Sequence, residues 1–376
     1  MAKTPYLSIA EKADYCSYID GWRGIAILLV VAVHTSQHCG NNGHGSFLFG
    51  FSETLLDSGA RGVQLFFILS AFTLFNSSYR RFKTDSNPRR NFYLRRAFRI
   101  LPLWFLVVTA YCLLDGKPFW VGGLSASFLF GFVRFQESLE VVSGGWSLFV
   151  EETFYLMLPV IFGKITTLRK ASNYTIALMA LAVLWSSVPY FRLPIPNTNA
   201  FVFLFPANQW CFFGIGIMLY YIIHNAGLRL PSSSSRWRWD LAALCLMPIV
   251  MTTYLSAIAV MFAFCIYVSS NEGTLLNRIM NNALLRRFGV YCYSIYLLHF
   301  LVLRFADPFL QSLMKQAGIG DAAVELRFLL AFPIVSLISL LVGYCCFNLI
   351  EKPSVQFGKT VINRGGAVRN LATEST

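Results

Sequence analysis

Charge is what this chain has least of. Asp, Glu, Lys and Arg make up 13% of its 376 residues and the mean hydropathy is +0.56, where a soluble domain carries roughly 25% charge. That excludes a water-soluble globule and predicts one membrane domain over residues 1–376, with apolar spans within 18–359 and a polar tail over 360–376. Acid is scarcer still: 18 carboxylate residues stand against 31 basic ones. In a membrane chain that excess marks basic cytoplasmic loops facing anionic lipid, not a nucleic-acid surface. The nine cysteines stand singly apart from Cys345 and Cys346 and show no metal-type spacing, so they read as small hydrophobes and no metal is expected. Met1 to Asp20 is polar and mixed in charge. A cleavable signal peptide is therefore not expected, and the first span should act as its own anchor.

What is abundant is apolar sequence. Ten runs fall near 18–38, 60–77, 98–114, 146–163, 174–191, 207–223, 239–255, 257–270, 289–305 and 327–350, to be set against about 20 residues for a helical crossing. The segment 121–133 (VGGLSASFLFGFV) is short and is followed by polar residues, so it is expected to be re-entrant or interfacial. With the N-terminus inside, 24 of the 31 Lys and Arg fall on the inner side. The positive-inside bias then places both termini in the cytoplasm. The expected fold is all-α: about ten transmembrane helices around a central polar cavity.

The first run, YIDGWRGIAILLVVAVH (Tyr18 to His34), holds two ionisable groups. Arg23 and His34 are eleven residues apart, roughly 16 Å along a helix at about 1.5 Å per residue. An ionisable group inside a bilayer defaults to a functional hypothesis. A buried imidazole bonded to a backbone carbonyl is the plainer alternative. Near neutral pH an imidazole can take the proton of an attacking hydroxyl. Glu151 and Glu152 lie a turn and a half into the fourth span. Their depth is about 8 Å from the outer end, and that of His34 about 10–14 Å in a core about 30 Å thick. One of these carboxylates is therefore expected to orient His34 or stabilise its imidazolium. Pairing with Arg61 or other polar groups is the structural alternative.

Five stretches in order, and the ending, are similar to one family. They are YIDGWRGIAILLVVAVH, GVQLFFILSAFTL (Gly62 to Leu74), FYLRRAFRILPLW (Phe92 to Trp104), WSLFVEETFYLMLP (Trp146 to Pro159), YCYSIYLLH (Tyr291 to His299) and FNLIEKPSVQFGK (Phe347 to Lys359). Together they resemble the acyltransferase-3 family of integral membrane acyltransferases, over Tyr18 to about Lys359. The Arg23–His34 spacing matches the family's Arg, ten residues, His pattern, and the resemblance implies that His34 is the catalytic base. It also implies that Arg95, Arg96 and Arg99, with Arg23 at the same face, hold the phosphates of an acyl-CoA donor; guanidinium forks suit phosphate. Tyr155, Tyr293, Tyr296 and His299 are candidate cavity residues, although aromatics at helical spacing are more often packing. Gly62 to Ser70 reads as close helix packing. His38 and His44 read as solvated loop residues, and His224 has no evident partner. Two departures stand out: Gln64 where the family often has an acid, and Ala71 where it often has glycine.

The resemblance implies an O-acyltransferase of a bacterial inner membrane. It would move an acyl group, expected to be acetyl, from cytoplasmic acetyl-CoA to a hydroxyl of a lipid-linked or exported glycan such as an O-antigen or exopolysaccharide unit. Residues Glu351 to Thr376 leave little room for the esterase-like domain that some relatives carry, so transfer within the membrane domain is expected. The alternative class is a transporter or flippase of lipid-linked sugars. Against it, no internal repeat is visible between the halves.

Overall fold

The computed structural model describes residues 16–39, 61–133, 140–187, 199–224, 236–251, 255–320 and 323–374. Among these residues every regular element is helical and none is a strand. Six helices are long and apolar enough to cross a membrane: Ser17–His38, Pro88–Asp115, Gly145–Lys164, Phe201–His224, Cys292–Gln316 and Val324–Arg364. Shorter apolar helices run over Gly62–Ser78 and Ala257–Ser269. The chain is therefore an all-α polytopic membrane protein. The segment expected not to cross, 121–133, holds only a helix of eight residues, Phe119–Ala126, and a 3-10 turn, Leu129–Phe132. The residues expected as a polar tail are helical as far as Glu374.

The fold has two compact units, each drawn from two stretches of chain: residues 1–72 with 212–343, and residues 73–211 with 344–376.

The first unit is built on α1 (Ser17–His38). Its Trp22, Ala26, Ile27, Val30 and Val31 are buried, and the indole Nε1 of Trp22 donates to Ser269 Oγ at 2.8 Å. The first half of α2 (Gly62–Thr84) lies close against α1: a Cβ on Gly62 would stand 2.5 Å from the Ala26 carbonyl oxygen. Its other neighbour is α8 (Pro206–His224), where a Cβ on Gly216 would stand 2.2 Å from the Ile68 carbonyl oxygen and 2.9 Å from Ala71 Cβ. This seam has no room to spare on either side.

Two short helices, α11 (Leu275–Met280) and α12 (Ala283–Val290), close on α1 from another side. Neither would be stable alone at that length. Caps start both. The Thr274 hydroxyl accepts from Asn277 N, and the Asn282 side chain accepts from the backbone of Leu284 and Leu285. Asp240, on α9 (Arg236–Met251), takes the N–H groups of Leu275 and Leu276 at 2.8 and 3.1 Å, supplying a negative charge where the helix dipole favours one. Contact with α1 is then backbone on backbone. An added Cβ would come within 1.9 Å of the Met280 carbonyl oxygen at Gly21, 2.1 Å of that of Leu285 at Gly24, and 1.8 Å of that of Asp20 at Gly289. Only glycine fits these three positions, so the first turns of α1 are fixed. Completing the unit are α10 (Leu255–Ser269), α13 (Cys292–Gln316) and α14 (Val324–Cys346).

The second unit centres on α3 (Pro88–Asp115), which starts ten residues before the expected span. Pro88 explains the early start, since a proline in the first turn wastes no hydrogen bond and its φ is already helical. At the far end Gly116, with φ 59°, caps the helix in the left-handed conformation. The helix α5 (Gly145–Lys164) is started by Glu140, whose carboxylate accepts the Trp146 N–H at 2.8 Å. Around these lie α4 (Phe119–Ala126), α6 (Leu168–Ser187) and α7 (Asn199–Leu204). A π-helical turn, Phe347–Glu351, leads into α15 (Lys352–Glu374). There the Ser354 hydroxyl donates to the Phe98 carbonyl at 2.6 Å, and Phe357 meets the Phe98 ring edge to face.

Candidate active site

The candidate residues gather at two polar centres, one in each unit. In the first unit, His34 lies in the last turns of α1 and is half-buried. Its Nδ1 is 3.0 Å from the side-chain oxygen of Gln37. Residues three apart share a helix face, so both groups ride on one rigid element. From α13, His299 stands 5.3 Å away, centroid to centroid, and Phe300 4.3 Å away.

His299 is fully buried. Its Nδ1 donates to the Tyr296 carbonyl at 2.6 Å, because a carbonyl can only accept. The ring's Nε2 is therefore a lone-pair acceptor, and among the described residues it meets no hydrogen-bond partner. A buried acceptor left unmet costs about 1–3 kcal/mol, which marks a position prepared for a donor. Tyr296 is buried beside it, with its ring 5.7 Å from that of His299, and Tyr293, a turn back on α13, is half-buried.

Arg23 sits at the opposite end of α1, where its guanidinium is 3.4 Å from the Asp20 carboxylate, a residue itself 5% exposed. A guanidinium already answered by a carboxylate has less to offer a phosphate.

The second centre lies between α3 and α5. The buried Tyr155 hydroxyl donates to the Glu151 carboxylate. The guanidinium of Arg96 lies over the Tyr155 ring, 5.5 Å from its centroid, a cation–π placement. Arg96 is also within electrostatic reach of Arg99, Glu151 and Glu152. One oxygen of Glu152, Oε1, is shut from solvent and has no hydrogen-bond partner among the described residues. Arg95 faces elsewhere: its Nη2 is 2.6 Å from Asp85. The three arginines, grouped by sequence, thus divide: Arg95 is tied to Asp85, Arg96 is near the glutamates, and Arg99 is within reach of Arg96.

Glu151 and Glu152 lie in the second unit; within the first, the Nδ1 edge of His34 is occupied by Gln37. Sequence reading passed over Gln37, although its spacing from His34 was the available signal, and over Asp20 for the same reason. Asp85 gave none, since a turn brings it back to Arg95.

Other expectations need correction. His38 is exposed, as expected, but it closes α1 instead of lying in a loop, and it stands 3.4 Å from Asp307. His224, left without a partner, bonds through Nδ1 to the Tyr220 carbonyl at 2.8 Å. His44 lies outside the described residues. Gln64, the neutral substitute for an acid, is buried at 2% exposure. No group of three or more His, Cys, Asp or Glu among the described residues could hold a metal ion.

The fold is that of a polytopic membrane protein, and the chain belongs to the acyltransferase-3 family, whose profile (Acyl_transf_3, acyltransferase domain) matches residues 17–348. It is similar to the peptidoglycan O-acetyltransferase OatA of Listeria monocytogenes, with 23% identity over 351 residues, covering 83% of this chain and 53% of that protein. YrhL of Bacillus subtilis, provisionally named a peptidoglycan O-acetyltransferase, is 23% identical over 335 residues, covering 78% of this chain and 49% of its own length. The chain thus spans about half the length of these curated relatives. No solved structure matches it significantly.

Proposed function

We propose that this protein transfers an acyl group, acetyl by preference, from acyl-CoA to a hydroxyl of a cell-envelope glycan. The observation that carries the reading is His34, a half-buried imidazole in an apolar helix whose Nδ1 is held by Gln37. Since an amide oxygen only accepts, Nδ1 keeps its proton and Nε2 keeps its lone pair. That lone pair takes the proton of the acceptor hydroxyl as its oxygen attacks the thioester carbonyl.

Arg96 and Arg99 supply positive charge for the donor's phosphates, with Arg95 and Arg23 in lesser roles because each already faces a carboxylate. Glu151 and Glu152 support the charge changes of transfer. Tyr155 holds Glu151, and Tyr293, Tyr296 and His299 shape the wall near His34. The basic balance of the loops orients the protein with both termini cytoplasmic, so donor comes from the cytoplasm and acceptor from the outer side. The names of the two relatives favour peptidoglycan as acceptor over the O-antigen or exopolysaccharide unit expected from sequence.

Membranes containing the protein are supplied with radiolabelled acetyl-CoA, and label in the glycan fraction is counted. His34→Ala, at equal abundance, is expected to lower incorporation by about 10²–10⁴-fold, the usual contribution of a general base. Unimpaired transfer by this variant would sink the reading.

A further inference from the structure

A triad base needs its second ring nitrogen held, and the holder is normally a carboxylate. Among the described residues of this unit, Gln37 on its own helix and His299 and Phe300 on α13 stand against His34, and none of the three is a carboxylate. The next acid along that face, Asp307 on α13, is engaged elsewhere: His38 lies 3.4 Å from one of its oxygens, and Gln311 Nε2 donates to the other at 3.1 Å. Gln311 also donates to the His38 carbonyl at 3.1 Å, which fixes Asp307 on His38. His34 and Gln37, one turn apart on α1, therefore form a unit of their own.

We propose that Gln37 is the positioning residue of this site. Its side-chain oxygen takes the Nδ1 proton of His34, fixes the ring's tautomer and plane, and leaves Nε2 as the base. This rests on the reading of His34 as the base. Gln37 does the orienting part of a triad acid's work without its charge. The proton account closes accordingly. The acceptor O–H bond breaks, its proton passes to His34 Nε2, and its oxygen forms the new ester bond at the acyl carbon. The C–S bond breaks, and the leaving thiolate takes the proton back from the imidazolium. His34 ends neutral, as it began, and no other reactant is needed. A neutral holder does not trap the ring as imidazolium, so the return of the proton to sulfur is not opposed.

The test compares Gln37→Met, Gln37→Glu and His34→Ala in the full-length protein in proteoliposomes, with acetyl-CoA as donor and a soluble glycan fragment as acceptor, from pH 5 to 9. Gln37→Met keeps length and bulk but accepts no strong hydrogen bond. It is expected to lower kcat about 10–100-fold with KM for acetyl-CoA within about twofold. Gln37→Glu is expected to retain most of the rate at high pH and to move the acid limb of the pH profile up by about one unit, since a carboxylate favours the charged ring. The other titratable groups facing this region, His299, His38 and Asp307, are unchanged in all three variants. A residue that merely fills space would leave the acid limb where it is. Wild-type kcat in Gln37→Met, or an unmoved limb in Gln37→Glu, overturns the proposal while His34→Ala is inactive. Full transfer by His34→Ala overturns the underlying reading as well.

Discussion

The two polar centres are built from opposite materials. Around His34 the neighbours are an amide, a second imidazole and a phenyl ring, on a helix whose opposite end is packed through glycines. Around Arg96 they are carboxylates, a phenol and another guanidinium. Under the proposed function, the contrast is a division of labour. Proton transfer in an apolar place works best where neither protonation state is locked by a full charge. Holding a polyanionic donor asks for fixed charge, and fixed charge inside a membrane protein asks for counter-charge to remain tolerable.

The comparison can be broken most forcefully at the glycine seam. Gly289→Leu would drive a side chain into the Asp20 carbonyl, where even Cβ has 1.8 Å. We expect a loss of about 3 kcal/mol or more, at the upper end of overpacking costs, seen as a lower melting temperature and lower abundance of purified protein in detergent. A normal melt would mean that the first turns of α1, on the helix that carries the neutral centre, do not depend on backbone contact. Next comes the charged centre. Arg96→Ala is expected to raise KM for acetyl-CoA about tenfold, the scale of a lost charge-assisted contact, and Arg95→Ala about twofold, because Asp85 already holds Arg95 at 2.6 Å. Equal effects would erase the distinction between the two arginines. The smallest expected signal is at Cys39, just beyond α1. Burial pushes its thiol up to about 11 and leaves it 2% exposed, so it stays protonated below that pH. Maleimide should label it in the unfolded protein and leave it unlabelled when folded at pH 8. Prompt labelling of the folded protein would show this end of the neutral centre to be open.

Long spans were legible because an apolar run with clear borders says nearly everything about a membrane helix. Helices over 17–38, 145–164 and 206–224 match the expected 18–38, 146–163 and 207–223 within a residue. What escaped was structure that depends on a partner. The short helices α11 and α12 look like a basic loop in sequence, and they exist because α1 offers glycine faces to receive them. The early start of α3 and the helical course of α15 are amphipathic, and such segments lack a hydropathy signal. At the site, motif spacing marked His34, Arg96 and Glu151, each on a long helix. It left out Gln37 and Asp20, whose importance comes from which atom they touch.

The contact between Gly289 and Asp20 also sets an order of events. During synthesis α1 emerges well before the helices that lock it, which begin only at Leu275. Until they are made, the segment bearing Arg23 and His34 has nothing to hold its height and rotation on that side. A helix made early is therefore secured late, so a ribosome stalled before Val290 would leave an anchored but unlocked intermediate.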